Sequence, residues 1–457
     1  MGACTRQGEV LEVPYQLRDV DKGYRFDQLL QKIVYNMLRN DPWFTENYAD
    51  RLNKISHYAY EFNITRGQWD DIRINWTYYK QGSPYDGMKM RNIGFWNVIK
   101  DQVGQEGYAF IADAEGYYSN TMNWNAAIAV SYMIGDDGEG DHYRTIENGF
   151  DQLAYALARH FTESEGSQLW MGNRLVTFEK SEDTGRRYRL TFYNVYDQAY
   201  WKVYADSIIL AMPKRSLELI DQQNFFFDSN THPALKQHMD SIFDIPSFKL
   251  LMGFNDPWWK NDLGIKEGKA STDLPMSQCV YFGTDPDNAH SLLLASYNDY
   301  RTVHFWNSLI QDEAARGYRS NDSADPGEKQ VSLLSAQETT VLPGVEAPAH
   351  VVKEALNQLS ELHGITVPDP YIVRVKDWSR DPYGAGYHNW RTSALFEDII
   401  PFMRQPIADE SVHIIGDAYS GKQGWTEGAF CVTENLLQTS FFLKKPDWLD
   451  EAYYLGL

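Results

Sequence analysis

Apolar residues in this chain repeat with two periods, and the periods place its elements. Asp27–Leu38 carries apolar residues at helical spacing, which predicts a helix. Residues 1–142 read mostly in that way. The charged, glycine-rich stretch Gly135–Asp141 predicts a loop. Beyond it, the second half of Tyr143–Leu157 is helical, with a glycine just before the helix. Strand patterns then take over. Arg189–Asn194 is rich in β-favouring residues. Ala205–Pro213 and Val412–Gly416 are short runs largely apolar on both faces, which predicts central places in a parallel sheet. Phe248–Phe254, Ser291–Tyr297 and Ile372–Val375 predict further strands. Residues 347–362, and Thr426 to about Thr439, predict helices. Ser320–Gly327 reads as a surface linker, and no internal repeat occurs.

Length and charge narrow the classes. A single core rarely grows past about 250–300 residues, so 457 residues imply two or more domains. The composition is globular: 43% hydrophobic and 23% charged. The aromatic content of 14% fits either large cores or an aromatic-lined pocket. A net charge of -21 argues against a nucleic-acid groove and against adhesion to anionic lipid. No apolar run approaches the roughly 18–20 residues of a membrane helix. The start, Met1–Arg6, has no apolar signal region, so a cytoplasmic location is expected. Cys4, Cys279 and Cys431 lie far apart, which disfavours a zinc site or a disulfide framework.

The most informative stretch is Val412–Phe430: a strand, a carboxylate at Asp417, a glycine-rich turn and a helix. Glycines let backbone approach a ligand closely, and a helix N-terminus favours electron-rich oxygens. The wording of this block resembles the C-terminal FAD signature of the flavin-dependent amine oxidase family, especially its L-amino-acid oxidases. Four other stretches match in the family's order. They are Ile146–Leu153, the pair Leu175–Phe178 and Arg189–Phe192, Ala205–Pro213, and Val375–Gly386. The matches span about 143–440.

The resemblance implies roles for particular residues. Asp417 would meet the flavin ribityl hydroxyls, where the family usually carries a glutamate. Gly424, Trp425 and Thr426 would lie along the isoalloxazine ring, with Trp425 also walling the substrate pocket. Leu175 would contact the adenine. Trp378 and Gly386 carry the match to the stretch beside the flavin. Lys249 sits in an apolar strand, where a lysine is costly to bury unless it is bonded. It either faces solvent from an outer face or does chemistry, and the family places a lysine here that holds a water against flavin N5. Burial would lower its pKa and suit it to proton handling. Tyr297 aligns with the tyrosine that binds the substrate carboxylate. Its alternative is a core position. His388, two residues past Gly386, is a candidate substrate-facing group or a structural histidine. No metal site is implied.

The family opens with G-x-G-x-x-G, which seats the FAD diphosphate, and no segment here matches it. Gly138–Gly140 and Gly384–Gly386 both lack the third glycine in register. Two accounts fit. The missing unit belongs to a smaller companion chain, encoded separately or cut from a precursor, and the protein is a hetero-oligomer. Otherwise the chain is a fragment or a flavin-free paralogue. The expected fold is α/β with an α+β substrate domain. Residues 1–142 would be a helical domain lining the entrance. Residues 143–242 and 409–457 would form the FAD-binding part, and 243–408 an antiparallel substrate domain. The implied reaction is oxidation of an L-amino acid by non-covalently bound FAD, with dioxygen as acceptor. It gives a 2-oxo acid, ammonia and hydrogen peroxide. Alternatives are an amino-acid 2-monooxygenase, an amine or polyamine oxidase, and a non-catalytic scaffold subunit.

Overall fold

The computed structural model describes residues 15–135, 146, 149–182, 185–285, 287–315 and 345–457, with the backbone of Thr5–Arg6 and Glu9–Val10. The expected loop beyond Gly135, the linker Ser320–Gly327 and Cys4 lie outside the described residues. The segment Ile146–Leu153 is described only in part.

The first part of the chain is a helical layer. Phe26–Asn40 buries Leu29, Leu30, Ile33, Val34, Met37 and Leu38, the stripe that the spacing predicts. It packs on Phe95–Glu115, whose last residues lead through a turn at Tyr117–Thr121 towards the buried helix Ala126–Gly135.

Next, Asn173–Lys180, Tyr188–Asn194 and Ala199–Ala205 form a three-stranded antiparallel sheet. Ile208–Ala211 then pairs in parallel with Val412–Ile415, Ile208 opposite Val412. Val412–Ile415 is buried along its whole length, as expected. Ile208–Ala211 is not. Ile208 and Leu210 enter the core, whereas Ala211 is exposed and Ile209 is 40% exposed. The physical reason is its position: among the described residues only one of its faces is covered by packing. The helix Asp151–Glu163, also amphipathic, buries no residue at all.

The substrate-side sheet is antiparallel and six-stranded. Its order is Gly268–Ser271, Gln278–Thr284, Ser291–Asp299, Ser247–Phe254, Ile372–Asp377, Val345–Glu346. Side chains alternate across it. Phe248, Leu250, Met252 and Phe254 enter a second core with Trp258, Trp259, Trp306 and the helix Ala349–His363. Lys249 and Leu251 take the other face. A separate two-stranded pair, Tyr387–Trp390 with Ile242–Ile245, leads into that sheet. The fold is thus mixed helix and sheet, as expected. No helix of the described residues is long and apolar enough to cross a membrane.

Candidate active site

Lys249 and Tyr297 stand directly opposite each other on neighbouring strands. The Lys249 ammonium Nζ lies 4.5 Å from the centre of the Tyr297 ring. This is a close cation–ring contact. Burial lowers the Lys249 pKa, and no carboxylate counters the effect. Burial, with Asp299 nearby, pushes the Tyr297 phenol up to about 12. The phenol therefore keeps its proton and can donate it to an acceptor.

Ser247 gathers the surrounding residues. Its hydroxyl lies beside Tyr297, and its carbonyl accepts from the Trp378 N–H at 2.9 Å. A Cβ on Gly386 would fall 2.2 Å from the Ser247 Cβ, so only glycine fits there. Tyr117, from the turn after the helix Phe95–Glu115, meets Tyr297 edge to face at 5.1 Å.

A buried carboxylate ties these pieces together. Asp299 accepts from the Tyr118 N–H at 2.9 Å, the Ser119 N–H at 3.3 Å, the Ser119 hydroxyl, and the Tyr387 hydroxyl at 2.6 Å. Burial raises its pKa, while these bonds pull the other way. Tyr387 in turn packs on Gly424, whose Cβ would lie 3.6 Å from its ring. One carboxylate thus connects the helical layer, the Tyr297 strand and the glycine-rich C-terminal loop.

That loop has a shape that suits a flat ligand. Gly416 and Gly424 adopt φ of +131° and +81°, conformations that side chains rarely take. The Gly424 N–H donates to Asp417 Oδ2 at 3.1 Å. Trp425 is 46% exposed although it is an indole, and it contacts the Tyr132 hydroxyl through Nε1 at 3.3 Å. Thr426 opens the helix that follows. A carboxylate, an open indole and a helix start therefore lie side by side. These residues fit a flavin: the indole can cover its rings, and Asp417 can accept from its ribityl hydroxyls.

Two predicted residues sit elsewhere. Leu175 lies in the first hairpin, half-buried opposite Phe192, apart from the Lys249 group. His388 is buried and stands 3.4 Å from Asp244, which also binds Lys214 at 2.8 Å. Tyr387 takes the site-facing side of that strand, and alternation turns His388 the other way. Of the two readings of His388, this placement beside Asp244 favours the structural histidine. The residues that sequence reasoning missed are Tyr117, Ser247, Asp299 and Tyr387. Asp299 had a usable signal, since it follows Tyr297 by two positions on the same strand face. Tyr117 had none.

The family model of flavin containing amine oxidoreductases matches residues 95–430. The chain belongs to that family. As a flavin amine oxidoreductase it is similar to aplysianin-A of Aplysia kurodai, with 23% identity over 379 residues and 78% of this chain covered. It is also similar to L-amino-acid oxidase 4 of Hebeloma cylindrosporum, at 24% over 353 residues and 74% of this chain. It spans 62% of the first relative's length and 50% of the second's. Among solved structures, a putrescine oxidase variant shares the fold with a TM-score of 0.52 at 13% identity, covering 82% of this chain and 73% of that one.

Proposed function

We propose that this flavin amine oxidoreductase is the larger part of an FAD-dependent L-amino-acid oxidase. The observation that carries the proposal is the Lys249–Tyr297 pair, a half-buried ammonium beside a protonated phenol. Bound FAD supplies the redox chemistry: a hydride leaves the substrate Cα, dioxygen takes up the electrons as hydrogen peroxide, and the imino acid hydrolyses to a 2-oxo acid and ammonia. The chain's own residues bind, orient and handle protons. The Tyr297 hydroxyl donates to the substrate carboxylate. Lys249 holds a water, and its lowered pKa eases release of the ammonium proton, after which the amine can take one up. Trp378, Gly424, Trp425 and Thr426 would border the flavin, with Trp425 and Gly386 also facing the substrate; Asp417 would take the ribityl hydroxyls and Leu175 the adenine. In this reading binding is non-covalent, because no Ser-Gly-Gly-Cys-type attachment run precedes Tyr419.

The diphosphate, in this reading, is gripped by a smaller companion chain that adds a G-x-G-x-x-G unit and makes the protein a hetero-oligomer. Among the described residues, the uncovered side of Ile208–Ala211 and the unburied helix Asp151–Glu163 support it.

Tyr297→Phe tests the function. Losing one hydrogen bond to a charged group costs about 1.5–3 kcal/mol. Amino-acid binding should weaken accordingly, while an amine without a carboxylate should bind equally well to both forms. Equal losses for the two ligands would remove Tyr297 from carboxylate binding and favour an amine oxidase. Peroxide with a 2-oxo acid, rather than an amide product, separates the oxidase from a monooxygenase.

A further inference from the structure

We propose that the site accepts an acidic L-amino acid, of the aspartate or glutamate class, and that Lys269, Tyr117 and Gln278 receive its second carboxylate. The inference rests on the L-amino-acid reading above and names its substrate class.

The charge pattern on the site face is the first observation. Lys249 stands opposite Tyr297 on one side and opposite Lys376 on the other. Like charges directly opposite across strands are destabilising. Lys269 projects from the same face further along, because it pairs with Val280, and Val280 with Leu294, which lies opposite Leu251. Each lysine lies over an aromatic ring: Lys376 at 5.0 Å from Trp378, Lys249 at 4.5 Å from Tyr297, Lys269 at 5.2 Å from Tyr117. All three are half-buried, and none has an ion pair among the described residues. Unpaired lysines on an open surface are ordinary. Three on one half-buried face, in a chain with 63 acidic and 42 basic residues, make a concentrated positive field that suits a ligand with more than one negative charge.

The second observation is a group of donors with little to donate to. Gln278 is fully buried beside the Tyr117 hydroxyl, and neither of its amide atoms makes a well-formed hydrogen bond. Buried amides are normally satisfied, so this one calls for a partner. Among the described residues, Lys269 Nζ reaches only the Glu115 carbonyl oxygen, at 3.5 Å. The nearby acceptor, the Glu115 carboxyl, is already engaged: it takes Asn120 Nδ2 at 3.0 Å and the Tyr117 N–H at 2.6 Å. Burial holds that carboxyl up to about 7, so its charge cancels the Lys269 charge only in part. The Lys269 ammonium and the Gln278 amide N–H thus keep donors to spare, which fits an electron-rich group.

Tyr117 lies between Tyr297, which takes the first carboxylate, and Lys269, which would take the second.

The test uses the natively purified, flavin-loaded protein with whatever companion it carries and two probes, glutarate and butyrate, with binding measured by calorimetry. Glutarate should bind about tenfold tighter or better, the effect of one charge-assisted hydrogen bond. Lys269→Met should erase most of that difference and Lys269→Arg should restore part of it. In turnover, L-glutamate or L-aspartate should exceed L-leucine in kcat/KM, and Lys269→Met should lower the acidic substrate about tenfold more than leucine. Equal binding of glutarate and butyrate, or leucine as the better substrate, overturns the proposal. If no amino acid reduces the flavin, the L-amino-acid reading fails instead, and the binding comparison still decides whether the site prefers a dicarboxylate.

Discussion

A half-buried ammonium loses part of its hydration, and at Lys249 that loss lowers the pKa with no carboxylate to oppose it. A methionine fills similar space without the ammonium. Lys249→Met should therefore keep the flavin yet slow its reduction or reoxidation, by about 10²-fold for a lost proton-handling group. Stopped-flow absorbance reads both half-reactions, and unchanged rates would return Lys249 to a solvent-facing role. Glu115 gives a pH signature of the opposite sign. Its carboxyl, ordinarily at 4.5, is held up to about 7 by burial. The folded state binds that proton more tightly than the unfolded one. Stability from this group is therefore full below about 4.5 and is lost as pH rises through about 7. Melting temperatures between pH 5 and 8 should fall less steeply for Glu115→Gln than for the parent protein. Parallel curves would mean that Glu115 does not titrate in this range.

At the scale of elements, the C-terminal loop and its helix depend on one close contact. A Cβ on Gly428 would lie 2.4 Å from both the Lys422 carbonyl oxygen and the Ser420 hydroxyl. Alanine normally gains up to about 1 kcal/mol over glycine inside a helix. Here the overpacking, about 1–3 kcal/mol, should exceed that gain because one of the atoms met is backbone. Gly428→Ala is expected to lower the melting temperature and weaken flavin retention, as read by the visible spectrum after gel filtration. A more stable, equally yellow protein would contradict the contact. Most elements were legible in the sequence. The helix Phe26–Asn40, the strands Ser247–Phe254 and Ser291–Asp299, and the helix Thr426–Thr439 each carry their pattern within one contiguous window. Ile208–Ala211 shows the limit: four apolar residues look the same whether one face or both faces are covered.

On the scale of the whole molecule, two cores meet around the site, and the Asp299 carboxylate links the helical layer to both the sheet and the C-terminal loop. The parallel pair Ile208–Ala211 and Val412–Ile415 is short, and strands of this kind are usually buried in wider sheets. If a companion supplies the remaining strands and the diphosphate grip, residues 1–457 alone should be colourless or aggregate through the open apolar surface. Co-expression with the companion should give a soluble yellow complex of two chains on a gel. A monodisperse, flavin-loaded, active preparation of these residues alone would end that account. The amino-acid sequence by itself determined the family, the order of the elements, and Lys249, Tyr297, Trp378, Asp417 and Trp425 as candidates. Each of these is written in a local period or a contiguous motif. Only the tertiary structure decided that Tyr117 and Asp299 join the site and that His388 turns away from it. Those outcomes depend on which strand face meets which distant turn, for example Tyr118 against Asp299, and such long-range packing leaves no local pattern to read.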